Sequence, residues 1–422
     1  MISQNVLNLV DTWMVGSLGD AALAAVSTAS FLNFASIAMI TGLSAGVQAV
    51  AARRVGEGRL DVSARPLHGG LLISLLIGVP ATALLWWAAP TLYGLVNGDA
   101  DVAAQAVPYL RARLAAMVAV GMNFSFRGYW NGVARSQLYM RTLVLMHAAN
   151  IVISYGLIFG IGGLPQLGSL GAGIGTALAT WLGTGIYFVL GVRHARDGGF
   201  LGVRPTSQSM RRLLALALPS SVQQFLFAMG FNVLFMIIAQ LGIAQVAAAG
   251  VLINVTLVAI LPGLALGMTA ATLVGQALGR GDPEDASQWG WDVVKGSAVA
   301  LGLLGLPMLL APELLLSPFL PDRPETIAIA ATPLRIVGAT MALDGVGMVL
   351  MQALIGAGAV RFVASWATGL QWILFLPAAY VVGPVLGGGL TAIWIAQAVH
   401  RALQAGLFAW AWRAGWWQTI KV

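Results

Sequence analysis

Two carboxylates stand where carboxylates are rare. Of the fifteen acidic residues, only Asp11, in NLVDTWMVG, and Asp344, in MALDGVG, fall well inside long apolar stretches. A charge placed there costs roughly 2.5–3.5 kcal/mol on insertion scales, so such a residue is read first as functional. A buried carboxylate can take up a proton, or it can ligate sodium together with nearby carbonyls and hydroxyls. Near it the apolar stretches of the first half carry Asn33, Asn123, Asn150, Ser154 and Thr180. Asn150 and Ser154 are four residues apart and share one face of a helix. With Asp11 they form a candidate oxygen-rich cation site, with Thr180 beside them. The bland reading of these polar groups is ordinary hydrogen bonding between helices.

The second half offers a different set. Asp344 and Arg401 lie at similar distances from the same membrane face, and a pair between them would hold the carboxylate ionised as a structural element. Gln223, Gln224 and Asn123 join them as a secondary cation or substrate set, and Asn232 and Asn254 are comparable polar positions. His147 and His400 are solitary, and packing is the simpler reading of both. Arg127 lies near a helix end and is expected to extend its head group to the interface.

The elements that position these groups follow from composition. The chain has 422 residues, 59% hydrophobic and 9% charged. Soluble chains carry roughly 25% charged residues. A mean hydropathy of +0.85 leaves no room for a large soluble domain. Scanning with the roughly 20 residues that cross a bilayer predicts helices at about 2–17, 22–48, 68–92, 105–131, 139–160, 170–192, 212–240, 245–272, 291–315, 328–354, 360–383 and 388–412. Period-two alternation is missing, which argues against strands. Sixteen of the 22 basic residues fall in loops on one side or at the termini. The positive-inside rule then puts both termini in the cytoplasm of a multi-pass plasma (inner) membrane protein. The excess of seven positive charges thus reads as membrane orientation, with no nucleic-acid partner. No cleavable signal peptide is evident.

An internal repeat organises the chain. GDAALAAVSTASF at 19–31 aligns without gaps to GIAQVAAAGVLIN at 242–254, an offset of 223 (242 − 19). NGVARSQLYM at 131–140 matches IGAGAVRFVA at 355–364 with an offset of 224 (355 − 131). The expected architecture is all-α and polytopic, with about twelve transmembrane helices in two six-helix lobes related by pseudo-two-fold symmetry along the membrane normal. The lobes are residues 1–192 and 213–422, joined by a basic cytoplasmic linker at 193–212, and a cavity between them is expected. The first helix is one to two turns short of its repeat partner.

Nucleotide-binding and zinc-protease signatures are absent: there is no GxxxxGK[ST] or HExxH. No cofactor is expected. With no cysteine and four scattered histidines, a transition-metal site is not expected.

VDTWMVGSLGDAALAAVSTA at 10–29 resembles the first-helix signature of the multidrug and toxic compound extrusion (MATE) transporters. GLSAGVQAVAARRVGEG at 42–58 and GMTAATLVGQALGRGD at 267–282 resemble the ends of that family's second and eighth helices, and NIVISYGLIFG at 150–160 its fifth-helix motif. The resemblance spans nearly the whole chain. It implies a secondary antiporter in the lipid bilayer, a monomer, exporting cationic or amphipathic small organic molecules. Asp11 would match the first-helix aspartate of the cation site, Asn150 the fifth-helix asparagine and Thr180 the sixth-helix threonine. Ser154 stands where relatives often have Asp or Asn. Asp344 matches a tenth-helix aspartate of the sodium-coupled branch, but the seventh-helix glutamate of that branch has no counterpart here. Proton coupling through Asp11, as in the branch related to DNA-damage-inducible proteins, is therefore expected, with sodium at Asp11 as the other option. The alternatives are a lipid-linked oligosaccharide flippase of the same superfamily and a non-transporting membrane receptor or scaffold.

Overall fold

A computed structural model describes residues 2–94, 96, 99–321 and 323–421. Its described residues are overwhelmingly helical. Among the described residues nine helices are long and apolar enough to cross a membrane. In lipid no water satisfies backbone amides, so a chain this apolar must close its hydrogen bonds within each segment. Large apolar side chains such as Trp87, Val152, Met236, Leu303 and Trp410 are exposed along these helices, as lipid-facing surfaces require.

The chain packs as two compact units, Met1–Ser221 and Val222–Val422. The first contains α1 (Ile2–Gly16), α2 (Asp20–Gly56), α3 (Leu60–Gly94), α4 in two segments (Ala100–Leu114 and Met117–Gly132), α5 (Ser136–Phe159) and α6 (Gly168–His194). The next helix, α7 (Ser207–Ala239), crosses the division. Its opening turns pack with the first unit, where Leu213 and Ala217 are buried in the core with Leu43, Val47 and Leu67. The second unit continues with α8 in two segments (Ile243–Ala259 and Leu261–Gly279), α9 (Pro283–Leu310), α10 (Pro324–Ala357), α11 (Val360–Val385) and α12 (Gly389–Ala414).

The repeat reappears in the backbone and in the packing. Gly19, before α2, has φ 108 and ψ 170, and Gly242, before α8, has φ 118 and ψ 167. Only glycine adopts such a turn without strain. Within the first unit an ideal Cβ on Gly121 of α4 would lie 2.8 Å from Ser74 Oγ of α3. In the second, one on Gly345 of α10 would lie 2.9 Å from Ser297 Oγ of α9. The partners are separated by the sequence offsets, 297 − 74 = 223 and 345 − 121 = 224. Gly132 against Gln48 and Gly356 against Ala271 form a second matched pair. Small residues at these crossings let helix backbones approach, which is how helices associate in lipid.

The units also differ. In α8 Pro262 follows the interruption at Ile260, where a missing N–H and a ring clash stop the helix. α2 runs unbroken through the corresponding position. α11 carries π-helical turns at Leu370–Phe375 and Val381–Val385, whereas α5 is regular. Within the first of these turns, Gln371 Nε2 donates to Phe227 O of α7 at 3.2 Å and Trp372 Nε1 to Leu226 O at 3.1 Å.

Candidate functional site

In the first unit α1 packs against α2, α5 and α6. Asp11 sits five residues from the Gly16 end of α1 (16 − 11), roughly 7 Å along its axis at 1.5 Å per residue. The side chain is half-buried and its Oδ1 is buried without a hydrogen-bond partner. Arg113 is the basic residue within its electrostatic reach. On α5, Asn150 and Ser154 are fully buried, and neither the Asn150 amide nor the Ser154 hydroxyl has a partner. Asn33 Oδ1 on α2 is in the same condition. Ser154 is pressed against Gly175 of α6, where no Cβ would fit. An unpaired buried polar group costs about 1–3 kcal/mol. Several in one helix cluster mark a place built to hold something polar rather than to pack. The donors fit a proton or a small hard cation, since they are carboxylate, amide and hydroxyl oxygens. Among the described residues no group of three or more His, Cys, Asp or Glu side chains could hold a metal ion.

Thr180 and Asn123 are engaged elsewhere. Thr180 Oγ1 donates to Thr176 O at 2.7 Å. Its carbonyl accepts from Asn123 Nδ2 at 3.2 Å and from Thr184 Oγ1 at 3.0 Å, and Thr184 Oγ1 also lies 2.8 Å from Asn123 Oδ1. These groups tie α4 to α6, and the Thr180 hydroxyl spends its proton on Thr176 O, leaving only its lone pairs as acceptors. Asn123, assigned from sequence to the set around Asp344, belongs to this tie in the first unit. Sequence reading missed its partner Thr184, though the i, i+4 spacing of Thr176, Thr180 and Thr184 was a visible signal.

In the second unit Asp344 is 7% exposed, and Arg401 Nε lies 3.7 Å from its Oδ1. This is an ion pair across α10 and α12, longer than a hydrogen bond. His400, next to Arg401, stacks on Phe375 of α11 with centroids 5.2 Å apart. The other residues grouped with Asp344 from sequence do not meet its carboxylate. Gln223 Nε2 reaches Met351 Sδ at 3.7 Å, seven residues further along α10 (351 − 344), and Gln224 is exposed. Asn232 and Asn254 donate to carbonyls one turn back in their own helices. Arg127, in the first unit, lies over the rings of Phe124 and Tyr139, 5.7 Å from each centroid. Ser297, unnoticed in the sequence, is buried with an unpartnered hydroxyl against Gly345.

The two carboxylates occupy unlike places in the repeat. Asp11 corresponds to Leu234 (11 + 223), which is buried in the second unit's core. Asp344 corresponds to position 120 or 121 by the two offsets, Val120 or Gly121, neither of them charged. Each unit thus carries one acid where the other has none.

Comparison with known proteins bears on the same scaffold. The MatE family model matches residues 1–156 and 219–381, in both halves. Multidrug resistance protein NorM of Burkholderia vietnamiensis is 29% identical over 420 residues, covering 97% of this chain and 90% of the relative. Probable multidrug resistance protein NorM of Burkholderia mallei (strain ATCC 23344) is 30% identical over 422 residues, covering 97% and 88%. Among solved structures, a multidrug resistance MATE family transporter of the MOP superfamily in its outward-facing conformation superposes with a TM-score of 0.89 at 21% identity, covering 100% of this chain and 94% of that one. A MOP superfamily transporter from Pyrococcus furiosus gives 0.87 at 22% identity, covering 98% and 92%. With both halves matched by one family model and relatives similar over almost their whole length, the chain belongs to the MatE family of membrane transporters.

Proposed function

We propose that this protein is a secondary active antiporter that exports cationic or amphipathic organic compounds in exchange for protons, with Asp11 as the coupling carboxylate. The relatives named for multidrug resistance support the substrate class. The observation that carries the mechanism is the unpartnered Oδ1 of Asp11, on a helix packed against α5, where Asn150 and Ser154 are also unpartnered. The basic loops support an inner-membrane orientation with both termini cytoplasmic, and the lobes 1–192 and 213–422 would act as the two working halves of a monomer.

The physics of coupling is differential burial of a charge. An ionised carboxylate in a desolvated site costs several kcal/mol. Protonation cancels that cost, so the neutral form favours the arrangement in which α1 packs most closely on α5. Driving a two-state equilibrium from 1:99 to 99:1 takes about 5.5 kcal/mol, which one desolvated charge is able to supply. The cation shifts the equilibrium only as far as its affinities for the two states differ.

The test is substrate efflux from proteoliposomes under separately imposed proton and sodium gradients. The wild type responds to the proton gradient, and Asp11→Asn falls to the background of empty vesicles. Undiminished efflux by Asp11→Asn sinks the assignment of Asp11. A response to sodium alone keeps Asp11 but replaces the coupling ion.

A further inference from the structure

His147 and His400 are both buried with neither ring nitrogen hydrogen-bonded, but His400 stacks on Phe375, whereas His147 shares a helix face with other unpartnered polar groups. Packing predicts a ring whose N–H rests on a carbonyl. Instead His147 is 4% exposed and neither ring nitrogen has a hydrogen-bond partner. Asn150 follows three residues later at 1% exposure and Ser154 seven later at 0%, on the same face of α5 and equally unpartnered. Ser154 is five residues from the Phe159 end of its helix (159 − 154), as Asp11 is from the Gly16 end of α1. His147 is twelve from that end (159 − 147), so the polar stripe runs roughly 10 Å inward from Ser154.

The other titratable groups on the helices packed against α5 are accounted for. α1 holds no charged side chain besides Asp11. On the segment of α4 packed against α5, Met117–Gly132, Arg127 lies over Phe124 and Tyr139, and Tyr129 packs on Trp130. On the other segment, Arg113 is the charge within reach of Asp11 and Arg111 lies over Trp86. There too Tyr109 bonds Ser30, and Asp101 is in the first turn. On α6, the Tyr187 hydroxyl donates to Tyr139 O, and Arg193 and His194 are in the last turn. On α5 itself Tyr139 and Arg141 are in the first two turns, and Tyr155 packs at a tilt on Phe159.

We propose that His147 is the inner proton acceptor of the coupling route, receiving the proton that Asp11 takes up. This rests on the reading of Asp11 given above. The O–H bond of the Asp11 carboxylic acid breaks. Its proton passes through the Ser154 hydroxyl and intervening water to an imidazole nitrogen, leaving a carboxylate and an imidazolium. The imidazolium then gives its proton to water on the cytoplasmic side and the neutral ring is restored. An imidazolium on this stripe repels sodium, so the same residue selects protons. His147 is a positioned acid–base group for ion movement, and substrate binding does not depend on it.

The test combines histidine NMR with transport. There are four histidines, and the His147 ring signal is assigned by its loss in His147→Gln, or by elimination with His68→Gln, His194→Gln and His400→Gln if that variant does not accumulate. A form with a blocked amino terminus controls for the chain's own amine. The expected result is a His147 signal that titrates and whose midpoint moves in Asp11→Asn. His147→Gln, or His147→Asn, keeps substrate affinity, loses proton-driven efflux by roughly tenfold or more, and flattens its pH profile. A signal that never titrates, or a variant with the wild-type pH profile, overturns the proposal while leaving Asp11 in its role. Unimpaired efflux by Asp11→Asn is the distinct failure of the underlying reading.

Discussion

Each of the two six-helix units holds one acid well inside an apolar stretch, Asp11 and Asp344, and the surroundings of the two differ. In the first, the Asp11 carboxylate is half-buried, without a salt bridge among the described residues, on a helix packed against one that carries unpartnered amide, hydroxyl and imidazole groups. In the second, Asp344 is more deeply buried and has an arginine 3.7 Å away. The framework beneath them is duplicated down to the Ser74–Gly121 and Ser297–Gly345 crossings. Beside the local breaks in α8 and α11, the two units differ in the few side chains around each acid. Neither Oδ1 has a hydrogen-bond partner, so the contrast lies in the arginine that only Asp344 has within ion-pair distance.

The comparison is broken most sharply at the Asp344–Arg401 pair. Replacing either residue alone by leucine strands its partner and lowers stability by roughly 2–3 kcal/mol, less than for a fully enclosed pair because Arg401 keeps some exposure. Replacing both by leucine recovers most of that loss, and proton-driven efflux survives. Thermal unfolding in detergent and vesicle efflux report the two halves of this expectation. If the stable double variant no longer exports, the second unit's acid is part of coupling and the contrast is false.

A smaller effect sharpens the repeat. Gly121→Ala and Gly345→Ala each force a methyl against a serine and cost about 1–3 kcal/mol, with similar losses in both units measured by the same unfolding assay. A loss in one unit only shows that the matched crossings are not energetically equivalent. The smallest effect concerns Thr184→Val, which removes the hydroxyl held by Asn123 Oδ1. It costs about 1 kcal/mol and leaves the efflux rate unchanged; a lost proton dependence would return the α4–α6 tie to the coupling machinery.

The helices and the duplication were legible because they are written in long apolar runs and in ungapped repeats. Asp11, Asn150 and Ser154 stood out because burying them is costly. What the sequence did not disclose is where polar groups spend their hydrogen bonds. The Thr180 hydroxyl donates to Thr176 O and its carbonyl accepts from Asn123 and Thr184, and residue spacing does not announce the contact with Asn123. Gln223 shared a half of the chain with Asp344, but its amide reaches Met351. His147 read as filler because a lone histidine in an apolar run gives no hint of whether its nitrogens find carbonyls. Rotation about a helix axis decides each of these cases, and residue spacing within one helix does not fix it relative to its neighbours.

The widened turn of α11 bears on how that helix tolerates change. Adjacent residues on a regular helix point about 100° apart, yet Gln371 and Trp372 both bond to neighbouring carbonyls of α7. The π turn spends one surplus residue to aim them together. Deleting a single residue between 370 and 375 would rewind the helix, swing one of the two side chains away, and rotate everything as far as Val385 relative to α7. Substitutions there should be mild, and a one-codon deletion severe, an asymmetry that a deletion scan of α11 against α5 would expose.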